Sequence, residues 1–162
     1  MTDRNDEHIG NPKIGSFNGP YRFFSNYYPS LIQFEGIVYP TVEHAFQAMK
    51  IENINTRMYI ARFPTPGEAK RFARHVALRP YWDKGPNGSP GIKFEIMESL
   101  VRLKFRNPNL AEALLATGDA ILEEGNTWGD RIWGVDTSGR GENHLGKILM
   151  RIRNEMRIQI GM

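Results

Sequence analysis

The chain has 162 residues, enough for one domain with a single core, and its 40% hydrophobic and 24% charged content excludes an extended disordered protein. It contains no cysteine, which excludes disulfides, thiolate catalysis and zinc–thiolate sites, and its four histidines stand at no metal-ligand spacing. The net charge of +3 is compatible with a phosphate-bearing or nucleic-acid ligand but demands neither.

Met1 to Asn11 is polar, without the apolar stretch of a signal peptide, and no run of apolar residues is long enough to span a bilayer. Residues 1–13 are expected to form a loose arm and 14–162 the domain, in the cytoplasm and away from membranes. Leu31 to Tyr39 reads as a hairpin turning at Glu35-Gly36. Pro40-Thr41 opens a helix to about Ile51. Thr65-Pro66-Gly67-Glu68 carries a Thr cap, Pro at the first position and Glu three residues on, so it starts a helix to about His75. Phe94, Met97, Leu100, Val101 and Phe105 recur with helical spacing between Lys93 and Arg106. Asn107-Pro108 ends that helix and caps another, which stops near Gly118. Trp128 to Val135 suggests a turn feeding a short strand, and a last helix follows Asn143. The class is α+β: a single compact, helix-rich domain with a few short strands.

On the helix after Thr41, Glu43, Phe46, Gln47 and Lys50 fall on one face, while Val42, Ala45 and Met49 are left for packing. A carboxylate, an amide and an ammonium so aligned suit a cleft. They equally suit a solvated helix, because Glu near the N-terminus and Lys near the C-terminus both offset the macrodipole. That dipole should hold Glu43 ionised, fit to stabilise a developing cation or activate water but a poor general acid, a task left to Asp130 or Lys50. Aromatic residues cluster at Tyr21, Phe23, Phe24, Tyr27 and Tyr28, and again at Tyr81-Trp82, Trp128 and Trp133. Such walls can sandwich a base, although most aromatics fill cores; Trp82 and Trp128, in Gly- and Pro-rich surroundings, are the better ligand candidates. Glycines from Gly125 to Gly146 allow close backbone approach, and the run into the last helix would suit a phosphate or an ordinary turn.

In this order, Phe24-Ser25-Asn26-Tyr27-Tyr28-Pro29, Tyr39 to Ala48, Leu78-Arg79-Pro80-Tyr81-Trp82-Asp83, Leu114 to Gly118, Glu124 to Asp130, Trp133-Gly134 and Gly139 to Gly146 resemble the NADAR family. The resemblance runs from about Ile14 to Arg157. It implies a helix-rich α+β fold and N-glycosidase chemistry without a metal or cofactor. Two substrate classes follow: ADP-ribose on the amino group of guanine in nucleic acid, and ribosylamino-pyrimidine phosphates of early riboflavin synthesis. The NTWGD and GRGEN segments lean toward the first. Some members removing ADP-ribose are antitoxins, so a cognate ADP-ribosyltransferase toxin is a partner the resemblance suggests.

By motif, the resemblance makes Glu43 the prime catalytic residue, with Asp130 assisting at the ribose hydroxyls. Lys50 lines the pocket or, alternatively, captures a ring-opened ribose. Phe24, Asn26, Gln47, Arg79, Trp82, Asn126, Trp128 and Asn143 complete the expected substrate-binding set. The segment Asp83 to Ile92 is longer than the link the resemblance implies, and is expected to be either a mobile lid or a neutral insertion. A non-catalytic module that reads ADP-ribose is the reading from another class.

Overall fold

In the computed structural model, residues 10–161 are described. Most of the expected arm therefore lies outside the described residues, but its end does not. Lys13–Ile14 forms strand β1, paired in parallel with β4 (Ile121–Leu122) in the register Lys13↔Ile121 and Ile14↔Leu122.

A 3-10 turn over Gly19–Phe24 leads to the hairpin of β2 (Ile32–Phe34) and β3 (Ile37–Tyr39). Its two-residue turn needs positive φ at both positions, supplied by Glu35 (48°) and Gly36 (82°). Glutamate adopts that region at a cost. An ion pair from Arg57 to the Glu35 carboxylate, 2.9 Å long, holds it there.

Helix α1 (Val42–Met49) is buried along all its residues, with α2 (Ile54–Ala61), α3 (Pro66–Ala73) and α4 (Ile92–Lys104) packed around it. Its start is fixed by Thr41, whose Oγ1 accepts the His44 N–H at 3.1 Å, a cap worth about 1 kcal/mol. The His44 ring Nε2 donates to the Phe63 carbonyl at 2.9 Å, tying α1 to the α2–α3 connection. Helix α3 begins as its cap sequence requires, with Thr65 Oγ1 accepting the Glu68 N–H. Helix α5 (Pro108–Leu115) is capped by Asn107. Helix α6 (His144–Gln159) packs on α4, α5 and β4 and closes the far side of the core.

The fold adds one helix to the expected elements, moves one strand, and gives the segment after Trp82 a form of its own. Helix α2 is absent from the elements read in the sequence, because its apolar residues do not share an inward face: Ile60 is buried, while Ile54, Met58 and Tyr59 are exposed. No strand forms over residues 128–135; Val135 makes only an isolated bridge with Gly125, and the strand is β4 instead. The segment after Trp82 folds on itself rather than hanging over a cleft. Gly85 N–H donates to the Ser89 carbonyl at 2.8 Å, Lys84 bridges to Pro90, and Lys93 pairs with Asp83 at 2.9 Å.

Candidate active site

A cleft of about 1030 Å³ opens between the 3-10 segment with its following turn, one face of α1, one face of α3, and the loop after β4. The α1 face reaches it as Glu43, Phe46, Gln47 and Lys50. Since this helix is buried all round, its polar side chains are not solvated decoration: Glu43 is 7% and Gln47 2% exposed. The Glu43 N–H donates to the Asn26 carbonyl at 3.1 Å, which joins the turn after the 3-10 segment to the first turn of α1. Gln47 Nε2 donates to Glu43 Oε1 at 2.8 Å. Two acceptors in this wall, Asn26 Oδ1 and Gln47 Oε1, are buried without a partner among the described residues. Such groups are costly unless a ligand supplies the donor.

Electrostatics at Glu43 run against the expectation of a simple anion. Desolvation dominates and raises its pKa; the Gln47 hydrogen bond and the charges of Lys70 and Lys50 pull the other way without prevailing. A helix-terminal charge interaction is worth roughly 0.3–1 kcal/mol, whereas removing a carboxylate fully from water costs about 4–7 kcal/mol. Burial wins. Lys50, at the end of α1, has its pKa lowered by the same desolvation, opposed by the Glu43 charge. Its ammonium stands 5.8 Å from the centre of the Phe46 ring.

Across the cleft lies the loop Glu124 to Trp133. Asp130, Trp128 and Trp133 line the cavity from it, with Trp128 68% exposed. One Asp130 oxygen, Oδ1, accepts the N–H groups of Ile132 (3.0 Å) and Trp133 (2.9 Å), so part of this carboxylate shapes its own turn. Trp133 meets Phe46 edge-on, with ring centres 5.4 Å apart.

The structure thus brings Asn26, Glu43, Gln47, Lys50, Trp128 and Asp130 to one cavity. Five other residues expected there stand behind it. Phe24 is 1% exposed and packs between Phe23 and Phe105 in the core. Trp82 is 3% exposed and packs against Phe46 with ring centres 5.1 Å apart, while its carbonyl accepts the Lys93 N–H at the start of α4. Arg79 serves the C-terminus of α1: its N–H donates to the Lys50 carbonyl at 2.8 Å and its guanidinium to that of Met49 at 3.4 Å, satisfying helix-end acceptors. Asn126 folds the 124–130 turn, donating to the carbonyls of Asp130 (2.8 Å) and Val135 (3.1 Å) while accepting the Asp130 N–H. Asn143, at φ 53°, accepts the Glu124 N–H and donates to the Leu122 carbonyl. Nor is the α6 N-terminus a phosphate site. Its leading N–H groups are spent on carbonyls, His144 on Ile132 and Leu145 on Trp133.

Other lining residues had no role in the sequence reading. Lys70, Arg71 and Arg74 project from α3 and Arg22 from the 3-10 segment, and none of them forms an ion pair among the described residues. Their signal was the spacing of positions 67, 70, 71 and 74 along one helix face. Glu124 opens the GNTWGD loop, and only the residues opposite it give it meaning.

The NADAR domain model matches residues 15–157. The chain belongs to the NADAR family. The NMR structure of Escherichia coli YbiA superposes on this NADAR domain with a TM-score of 0.77 and 32% identity, covering 96% of this chain and 92% of that one. The N-glycosidase YbiA of Shigella flexneri serotype 5b is 35% identical over 147 residues, 89% of this chain and 87% of the relative. The riboflavin biosynthesis protein VVA0006 of Vibrio vulnificus is 36% identical over 135 residues, 83% of this chain; the NADAR domain here spans only 35% of that longer protein. No helix among the described residues is long and apolar enough to cross a membrane.

Proposed function

We propose that this chain is an N-glycosidase that hydrolyses the bond between ribose C1 and a base nitrogen, acting on ADP-ribosylated guanine in nucleic acid. The observation that carries the reading is the cleft itself, in which Glu43 faces the Asp130 loop beneath an uncompensated rim of Arg22, Lys70, Arg71 and Arg74. The name N-glycosidase given to the Shigella relative supports the reaction class. A cationic rim without acidic partners fits a phosphate-bearing substrate. The flat faces of Trp128 and Trp133 fit a base.

In this reading Glu43, ionised with the help of the Gln47 amide and the Lys50 charge, accepts a proton from the attacking water. Its raised pKa makes the carboxylate a stronger base than an exposed one. As positive charge develops at C1, the same carboxylate stabilises it. The free oxygen of Asp130 would take a ribose hydroxyl. A ribosylamino-pyrimidine phosphate is the second substrate reading, favoured by the riboflavin biosynthesis name of the Vibrio relative.

Incubation with an ADP-ribosylated guanine oligonucleotide and, separately, a ribosylamino-pyrimidine 5′-phosphate, followed by mass analysis, tests the assignment. Release of ADP-ribose at the higher kcat/KM is expected; preference for the pyrimidine would move the substrate to the second reading. Glu43→Gln should lose about 10²- to 10⁴-fold in turnover with its fold intact. Tight binding of both compounds with no cleavage of either would make the protein a binding module.

A further inference from the structure

The proposed reaction needs a proton on the departing nitrogen, and on the α1 face only Lys50, at the helix end, carries one to give. Glu43 is committed to the water, and its Oε1 already accepts from Gln47. Glu124 stands on the other side. Its main chain is pinned at both ends: the N–H donates to Asn143 Oδ1 at 3.1 Å, and the carbonyl accepts the Val135 N–H at 2.9 Å. Gly134 lies so close that a Cβ there would fall 2.0 Å from the Glu124 carbonyl oxygen, so only glycine lets the two backbones cross here.

The Glu124 side chain lines the same cleft as Glu43 and Asp130. Among the described residues its carboxyl makes no hydrogen bond and no ion pair, whereas the neighbouring Glu123 is paired with Lys13 at 2.9 Å. The two cleft glutamates are therefore supported differently. Glu43 has an amide donor at 2.8 Å and the charges of Lys50 and Lys70. Glu124 faces like charge from Asp130 on its own loop and from Glu43 on α1, with Lys70 of α3 and Lys104 of α4 as the opposing cations. Burial raises both groups, and among the described residues only Glu43 has a hydrogen-bond donor to oppose it. Burial, followed by Asp130 and Glu43, pushes Glu124 up to about 8. Two carboxyl groups so unequally supported can divide the roles of base and acid.

We propose that Glu124 is the general acid of this cleft, donating its proton to the ribose-linked nitrogen of the base as the C1–N bond breaks; the proposal rests on the N-glycosidase reading. The water oxygen bonds to C1 and its proton passes to the Glu43 carboxylate. The C1–N electron pair moves to nitrogen, which takes the proton from Glu124. The products are a sugar with a free C1 hydroxyl and the free base. Glu124 is left as carboxylate and Glu43 as acid, and exchange with solvent restores both.

The test compares wild type and Glu124→Gln on an ADP-ribosylated guanine oligonucleotide and on 4-nitrophenyl β-riboside 5-phosphate, whose phenolate leaves without a proton. Thermal melting checks that the variant is folded. The expected loss is about 10²- to 10⁴-fold on the guanine conjugate but within about tenfold on the nitrophenyl riboside. Wild-type kcat/KM on the oligonucleotide should fall above a pH near 8, and that alkaline limb should vanish in the variant. Equal losses on both substrates, or an unchanged rate and pH profile, would overturn the role of Glu124 while leaving hydrolysis intact. Absence of base release by the wild type from both the guanine conjugate and a ribosylamino-pyrimidine 5′-phosphate would instead remove the N-glycosidase reading, and the general acid with it.

Discussion

Glu43 and Glu124 carry the same functional group, and what surrounds each decides its chemistry. The same surroundings are readable as stability. Glu124 goes from an ordinary 4.5 to about 8 on folding, so between those pH values the native state binds the extra proton and unfolding free energy falls as pH rises. Lys104 acts in the opposite sense. Buried with its Nζ on the Ser25 carbonyl at 2.8 Å, it is lowered to about 7 from 10.5, so its contribution improves as pH rises through that window. Urea midpoints of wild type should therefore decline from about pH 5 to about pH 7, above which Lys104 offsets Glu124, and Glu124→Gln should flatten the decline. Equal slopes in the two proteins would mean that Glu124 is charged in the folded state. The sequence made the α1 face of Glu43, Phe46, Gln47 and Lys50 visible because i, i+3, i+4 and i+7 spacing survives any packing. It could not reveal the state of either glutamate, which depends on groups arriving from other elements. Trp82 was misplaced for a related reason: a Gly- and Pro-rich neighbourhood says that a ring lies near a loop, not which way it points, and the motif that suggested Phe24 is equally silent on direction.

Helix α3 is the element that most changes the picture of the ligand. Its start was legible to the residue in Thr65-Pro66-Gly67-Glu68, and Lys70 and Arg71 near its C-terminus look like ordinary dipole partners. Only its packing against α1 turns Lys70, Arg71 and Arg74 toward the cleft. If they hold phosphate oxygens, Arg71→Ala and Arg74→Ala should each raise KM for the phosphorylated substrate roughly 10- to 150-fold, from about 1.5–3 kcal/mol per charged hydrogen bond, with kcat nearly unchanged. The wild-type advantage should shrink with added salt. Steady-state kinetics at two ionic strengths decides it, and a fall in kcat at constant KM would place these arginines in the chemistry rather than in binding. Helix α2 and the β1–β4 pair show the opposite limit. A helix with one buried aliphatic side chain leaves a weak periodicity, and two-residue strands pairing Lys13–Ile14 with Ile121–Leu122 leave none.

At the scale of the molecule, the cleft is assembled from stretches as far apart as Phe17 and Trp133, and no single element holds it. Its far wall depends on Asn143 bridging the Leu122 carbonyl to the Glu124 N–H, hence on α6 being docked. A ligand touching both walls consequently binds only the whole folded chain, and its binding free energy adds to global stability. With Glu43→Gln, which should hold substrate without consuming it, saturation at 100 times Kd corresponds to about 2.7 kcal/mol, or roughly 5–10 °C in melting temperature for a chain of this size. The rise should come as one shifted cooperative transition followed by calorimetry. Removing the far wall provides the contrast. Asn143→Ala loses two buried hydrogen bonds and strains an αL position, so it should lower the baseline by about 2–4 kcal/mol and abolish most of the ligand-induced rise. A full ligand shift in that variant would mean that the substrate is held by the α1 and α3 walls alone, and that the Glu124–Asp130 loop takes no part in binding it.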